Sequence, residues 1–192
     1  MSPSSPSTRT TLLHLATERV QLVGYNAFSY RDLAASAGIT TASVHYHFPT
    51  KGDLALAMVQ RQRELDRAIF SRLDVDVPDA WRRLQAFCAA LRRDLENGHR
   101  MCLCGMLAAE HATLPAATVE AIRGFFSDTE AWLAAVLLEG RRAGVVAFAG
   151  PAGTVAQALL SAVEGAMLTA RAFGDLGRFD AAVKWHLARL KP

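Results

Sequence analysis

The stretch TTASVHYHF gathers Thr40, Thr41, Ser43, His45, Tyr46 and His47, a series of hydroxyls, imidazoles and a phenol without a carboxylate. Such groups donate to and accept from base edges and phosphate oxygens, and the small Ala42 among them permits close approach. Ser29 and Arg31 stand just upstream and Lys51 just downstream, adding a hydroxyl and two cations suited to phosphate. Other readings stay open: His45 and His47 equally suit surface or core-edge positions, and Tyr46 an ordinary hydrophobic contact. A His-x-His pair diverges on a helix, so no metal site is expected.

A second reactive group is Cys102. It stands at the expected start of a helix, near His99 and Arg100, where the helix dipole and nearby positive charge would favour a thiolate open to electrophiles or oxidants. The same residue also reads as a small buried hydrophobe. An enzyme pairing Cys102 with His99 or His111 would need a base and oxyanion donors converging in one pocket, and no separated positions complete that set. No enzyme and no cofactor is expected. Met58, Cys88, Leu91, Met101, Met106, Phe125, Phe126 and Trp132, with Cys102, have the composition of an adaptable apolar ligand cavity. Helix packing alone would require the same stripe. Glu110, His111 and Glu164 lie on otherwise apolar helices, as polar ligand contacts or as structural hydrogen-bonding groups.

Helices must position all of these. Leu12, Leu15, Ala16, Val20 and Val23 recur at helical spacing from near Ser7 or Thr8 to a stop at Gly24. Ser29 with Asp32 forms a capping box opening a short helix that ends at Gly38. Thr40 or Thr41 caps the next segment, whose apolar stripe is Val44 and Phe48 and which Pro49 terminates. Thr50 caps a longer helix from Lys51, with Leu54, Met58, Leu65, Ile69 and Leu73 as its expected buried side. Five more helices are expected near 78–96, 102–111, 115–142, 152–173 and 178–190, separated by Pro78, Gly98, Pro115, Gly144, Gly150, Pro151, Gly174 and Gly177. No strand pattern of useful length appears, so the fold class is all-α with about nine helices.

The chain has 192 residues, 51% hydrophobic, and a formal net charge of +3, an excess too small to decide for or against nucleic acid. Three cysteines in helical patterns argue against a disulfide framework. No run reaches the roughly 18 to 20 apolar residues of a membrane helix, and the Ser/Pro-rich start has no signal-like apolar stretch. No membrane partner and a cytoplasmic location are expected.

Two short helices joined by Ala37-Gly38-Ile39-Thr40 form a helix-turn-helix, with Leu33, Ala34, Ile39 and Val44 locking the angle. The whole stretch GYNAFSYRDLAASAGITTASVHYHFPTKGDL resembles the DNA-binding signature of the TetR family. The matching elements are Gly24-Tyr25, the Ser29 cap, Leu33-Ala34, Ala37-Gly38-Ile39-Thr40, Tyr46-His47-Phe48 and Lys51 with Leu54. The stretch HRMCLCGMLAAEHATLP is similar to one in a subgroup where a Cys opens helix 6. The resemblance implies a nine-helix homodimer whose first three helices read double-stranded operator DNA, and whose other helices bind a small-molecule effector and the partner. It implies a repressor released by a small-molecule or electrophile inducer. Thr41 stands where relatives often have a basic residue, and His45 where they often have Tyr, which bears on base preference.

On that footing residues 1–6 are a flexible N-terminus, 7–50 the DNA-binding domain, and 51–192 the regulatory domain. Ala158, Ser161, Ala162 and Gly165 give one helix a small-residue face that, with Phe179, Val183 and Leu187 of the last helix, resembles the family's dimer-forming pair. The N-terminal portion of the chain, through Asp53, holds only Arg9, Arg19, Arg31 and Lys51 as full positive charges against Glu18, Asp32 and Asp53. Few counterions are therefore released on DNA binding. The log–log slope of operator affinity against salt for the dimer should stay below a magnitude of about 8, as read by titration over a salt series, and a steeper slope overturns the expectation.

Overall fold

Caps set most of the helix boundaries. The computed structural model describes residues 7–192, which form nine α-helices, one 3-10 turn and no strand. The expected flexible segment, residues 1–6, lies outside the described residues. Helix α1, Thr8–Val23, starts on Ser7, whose hydroxyl accepts the Thr10 N–H at 3.2 Å, and stops at Gly24 with φ +94°. Helix α2, Tyr30–Ala37, opens on a reciprocal box: the Ser29 N–H donates to Asp32 Oδ2 at 2.7 Å and the Asp32 N–H to Ser29 Oγ at 3.3 Å. At its other end Gly38 takes φ +67°, so that the Ile39 N–H reaches back to the Ala34 carbonyl at 3.1 Å. Helix α3, Thr41–His47, is capped by Thr40, which accepts the Ser43 N–H at 3.2 Å. Helix α4, Lys51–Asp76, begins on a second reciprocal box made by Thr50 and Asp53, at 2.9 and 3.1 Å.

Then follow α5, Ala80–Glu96; α6, Leu103–Ala109; the 3-10 turn His111–Thr113; α7, Ala116–Arg142; α8, Ala152–Phe173; and α9, Leu176–Ala188. Two of the boundaries that differ from expectation have a plain cause. Helix α6 stops short of His111, because the chain tightens at Glu110, whose carbonyl accepts the Thr113 N–H at 3.0 Å. Helix α9 starts before Gly177, because Asp175 caps it by accepting the Gly177 N–H at 2.8 Å. Gly177 is thus a first-turn residue of α9, not a separator.

The chain divides into two compact units. The first holds the chain up to Gln62 with Leu103–Arg123. Its core gathers Leu12, Ala16 and Val20 of α1, Leu33 of α2, Val44 of α3, Leu54 and Met58 of α4, and Leu107 of α6, all buried. The second holds Arg63–Cys102 and Gly124–Pro192, with α5, α8 and α9 packed together around Leu84, Val163, Met167 and Phe179.

Helix α4 departs most from its expected pattern. Leu54, Ala55, Ala57, Met58 and Val59 are buried, but Leu65 and Ile69 are 47% and 43% exposed, and Leu73 is half-buried. Beyond Gln62 the stripe that makes contacts is Arg63, Arg67, Phe70 and Asp74, spaced four, three and four apart. Arg63 and Arg67 donate to Asp128 Oδ2 at 2.9 and 2.8 Å, Phe70 stacks on Trp132 at 4.3 Å, and Asp74 accepts from Arg83 and from Trp132 Nε1, each at 3.1 Å. Buried Arg83 also binds the Pro78 carbonyl and Glu139, tying the ends of α4 and α7 through one guanidinium. A mostly polar stripe carries this helix, so its apolar residues were free to face outward.

Truncation should separate the two halves of α4. Leu54→Ala is expected to cost about 2–5 kcal/mol in urea unfolding, as a buried leucine does. Leu65→Ala should stay within about 0.5 kcal/mol. Equal losses would put Leu65 in the core after all.

Candidate nucleic-acid interface

A seven-residue helix has almost no stability of its own, so α3 must be held from outside. Val44 and Phe48, 0% and 2% exposed, anchor its inner face. The Tyr30 hydroxyl spans from α2 to the chain leaving α3, within 2.9 Å of the Phe48 carbonyl and 2.6 Å of the Thr50 carbonyl, and its one proton is shared between them. Burial pushes the Tyr30 phenol well above its ordinary range, which keeps that proton in place. Arg9 lies over the Phe48 ring, 5.1 Å from its centroid.

What remains is the outer face of α3. Thr40, Thr41, Ala42, His45 and Tyr46 are exposed, Ser43 and His47 half-buried. Tyr46 is 85% exposed on this rigid helix, its ring edge-on to His47 at 5.2 Å. His45 is exposed but not loose: Nδ1 lies 3.1 Å from the Pro49 carbonyl, and the ring sits edge-on to Tyr30 at 4.7 Å. The carbonyl can only accept, so Nδ1 carries the proton and in a neutral ring Nε2 is the acceptor.

Upstream and downstream candidates do different work. The Ser29 hydroxyl and N–H are both engaged with Asp32, and these hydrogen bonds hold the Asp32 carboxyl below its usual range. Arg31 is exposed in the first turn of α2, beside that carboxylate. Lys51 turns inward. Its ammonium donates to the carbonyls of Tyr25 and Phe28, both at 2.5 Å, and lies 4.5 and 4.4 Å from the centroids of their rings. Burial lowers the Lys51 ammonium from its ordinary value, and the negative charge of Glu110 opposes that shift.

Glu110 completes the same turn from the other side. Its carboxylate accepts the Tyr25 N–H at 2.8 Å and the Asn26 N–H at 2.9 Å, and also takes the Asn26 amide, which reaches Thr113 Oγ1 at 3.0 Å. A side chain at Gly24 would collide with that carboxylate, so the glycine serves both its positive φ and this approach. Of the two roles open to Glu110 in the sequence, ligand contact or structural hydrogen-bonding group, these hydrogen bonds are the second. Its partners lie far away along the chain, and no local spacing signals them.

The expected effector residues are divided. Met58, buried, and Met106, half-buried, belong to the first unit, whereas Cys88, Leu91, Met101, Cys102, Phe125, Phe126 and Trp132 belong to the second. Phe125 and Phe126 meet edge-on at 5.2 Å, and Trp132 is occupied by Phe70 and Asp74. Cys102 is buried, and its thiol hydrogen-bonds the Glu164 carboxyl, which burial raises above its ordinary range. A groove of about 460 Å³ between α5 and α9 and one of about 300 Å³ beside α8 and α9 take in Cys88 and none of the other eight. Of the expected dimer residues, Ala158, Ser161 and Gly165 are exposed on α8 and Ala162 half-buried. Phe179 and Leu187 are buried and Val183 half-buried, and all three line the α5–α9 groove.

A family model described as bacterial regulatory proteins of the tetR family matches residues 12–58, and one described as the C-terminal domain of LmrA/YxaF-like transcriptional regulators matches residues 80–184. No curated protein matches. Among solved structures, a TetR-family transcriptional regulator from Agrobacterium tumefaciens is 33% identical, with a TM-score of 0.92 over 96% of this chain and 98% of that one. A TetR transcriptional regulator from Legionella pneumophila is 30% identical, with a TM-score of 0.89 over 98% of this chain and 100% of its own. The reduced form of E. coli NemR, at 21% identity and a TM-score of 0.84 over 97% and 98% of the two chains, shares the fold. The tightly held α2–α3 pair with its exposed outer face is therefore the helix-turn-helix of a DNA-binding domain, and the chain belongs to the TetR family of transcriptional regulators.

Proposed function

We propose that this regulator is a repressor that binds operator DNA as a homodimer in the cytoplasm and is released by a small-molecule effector. The observation that carries the reading is the outer face of α3: Tyr46 85% exposed beside Thr40, Thr41 and Ala42, on a helix whose inner face is fully buried. A large aromatic held in water on a rigid helix gains a partner when α3 enters the major groove. Thr41, Ser43 and Tyr46 then supply donors to phosphates and bases, and His45 presents an acceptor. Arg31 adds a phosphate contact. Ser29 and Lys51 act on the DNA indirectly, by fixing the start of α2 and the turn before it.

Residues 7–50 carry the DNA reading in this proposal, and 51–192 the effector and partner contacts. The compact units support a link between the two roles, because Leu103–Arg123 packs with the DNA-reading helices. Glu110 is the residue through which a change in α6 reaches the turn between α1 and α2. The effector then favours an arrangement that reads DNA poorly, a population shift. Cys102 faces a carboxyl, and its burial favours reversible binding of a small molecule over attack on an electrophile.

Self-association falls to α8 and α9. Ala158, Ser161 and Gly165 leave α8 smooth, and Leu168, Phe173 and Trp185 add large apolar side chains that are 60%, 64% and 53% exposed. Arginines lie flat on the last two, Arg178 3.5 Å from the Phe173 centroid and Arg189 3.1 Å from that of Trp185. Phe179, Val183 and Leu187 support this face from beneath. Two reading heads on one two-fold axis match half-sites one helical turn apart.

Fluorescence anisotropy against the DNA upstream of the chain's own gene tests the reading. Thr41→Ala with Tyr46→Ala should weaken binding at least about tenfold while the dimer persists in sedimentation. Unchanged affinity, or no binding by the unaltered chain, would sink it. Glu110→Ala leaves two turn N–H groups without an acceptor and should weaken operator binding by about tenfold. Glu110→Gln, which keeps an acceptor oxygen, should retain most of it. Equal behaviour of the two variants would remove Glu110 from the coupling.

A further inference from the structure

The groove between α5 and α9 takes in one expected effector residue, Cys88, and none of the residues expected to read DNA. Its volume of about 460 Å³ falls within the range of small-ligand sites. Cys88, Phe179 and Leu187 form its floor, all buried, and burial pushes the Cys88 thiol up to about 12, so the floor carries no charge. Polar pairs close both ends. At one, Arg92 clasps Asp180 with two hydrogen bonds of 2.6 and 3.1 Å and also binds Glu96. At the other, the Lys191 ammonium stands 5.2 Å from the centroid of Trp81. From Trp81 to Arg92 the helix rises about 16 Å, so the groove is long.

Charge decides what fits. Two carboxylates already offset Arg92, and Asp180 is the sole acidic residue lining the groove. Lys184, exposed midway along the rim, and Lys191 are therefore the uncompensated charges above an apolar trough. A neutral ligand would leave these ammonium groups without a counter-charge, and a cation would be repelled. An anion with an apolar tail satisfies both: the tail covers the floor, and the head group takes an ammonium that now has only water or a ring face.

We propose that this groove binds a carboxylate carrying an unbranched apolar tail, at a site made entirely within the second unit. It does not rest on the operator reading. Titration calorimetry of the full chain with octanoate, and with octanol as the uncharged counterpart, tests it. Octanoate should bind at least about tenfold more tightly than octanol. Lys184→Glu with Lys191→Glu should remove that preference, and Ala89→Trp, which fills the groove from an exposed position of α5, should abolish binding of both. All three positions are exposed, so the fold survives the substitutions, and circular dichroism confirms it. No octanoate binding, equal binding of the two probes, or octanoate binding that survives Ala89→Trp would overturn the proposal. So would dissociation of the dimer by Ala89→Trp, which would assign the groove to a second copy of the chain.

Discussion

The turn between α1 and α2 poses a problem of backbone satisfaction on which the reading head depends. The chain leaves α1 at Gly24 and re-enters helix at Tyr30, so the N–H groups of Tyr25 and Asn26 and the carbonyls of Tyr25 and Phe28 have no helical partners. A carboxylate answers the donors and an ammonium the acceptors: Glu110 from the end of α6 and Lys51 from the start of α4. The two act together, since the Lys51 ammonium is partly buried and the negative charge of Glu110 offsets part of its desolvation. Tyr25 and Phe28 then present their ring faces to the same ammonium.

Fixing this turn fixes the direction of α2, and α2 fixes α3. Tyr30 opens α2 and bonds the carbonyls where α3 ends and α4 begins, so three helices meet through one phenol. The left-handed Gly38 closes the angle between them. In the proposed regulation, a shift of Glu110 would lengthen its hydrogen bonds to this turn, and packed elements answer such strain by switching arrangement, not by stretching.

Local chemistry made much of this legible in the sequence. Ser29 with Asp32, Gly24, Gly38 and Pro49 place α1 to α3 because caps and left-handed glycines act within one turn of chain. The nine-helix count follows from the same punctuation. A structural hydrogen-bonding role for Glu110 was legible, but the partners of Glu110 and Lys51 were not, because an ion satisfying a turn from another helix leaves no periodic trace. Helix α4 misled for a related reason. Its second half docks through Arg63, Arg67 and Asp74, and hydrophobic periodicity reads those as a solvated face. The apolar set around Cys102 has the composition of a cavity, and composition alone does not say which of its residues belong to which unit.

The same physics separates what may vary on α3 from what may not. Val44 and Phe48 hold the helix, and Thr40 caps it, so changes there are paid in stability. Thr41, Ala42 and Tyr46 are exposed, Tyr46 with its ring edge-on to His47, and in the proposed reading substitution there alters base preference while α3 stays in place. His45 belongs to neither group. Its ring is fixed by Pro49 and Tyr30, and a Tyr at this position would lose the Nδ1 hydrogen bond that orients the side chain. In the proposed reading His45 therefore contributes a fixed geometry as well as its chemistry to the face that meets DNA, whereas Thr41 contributes an exposed hydroxyl.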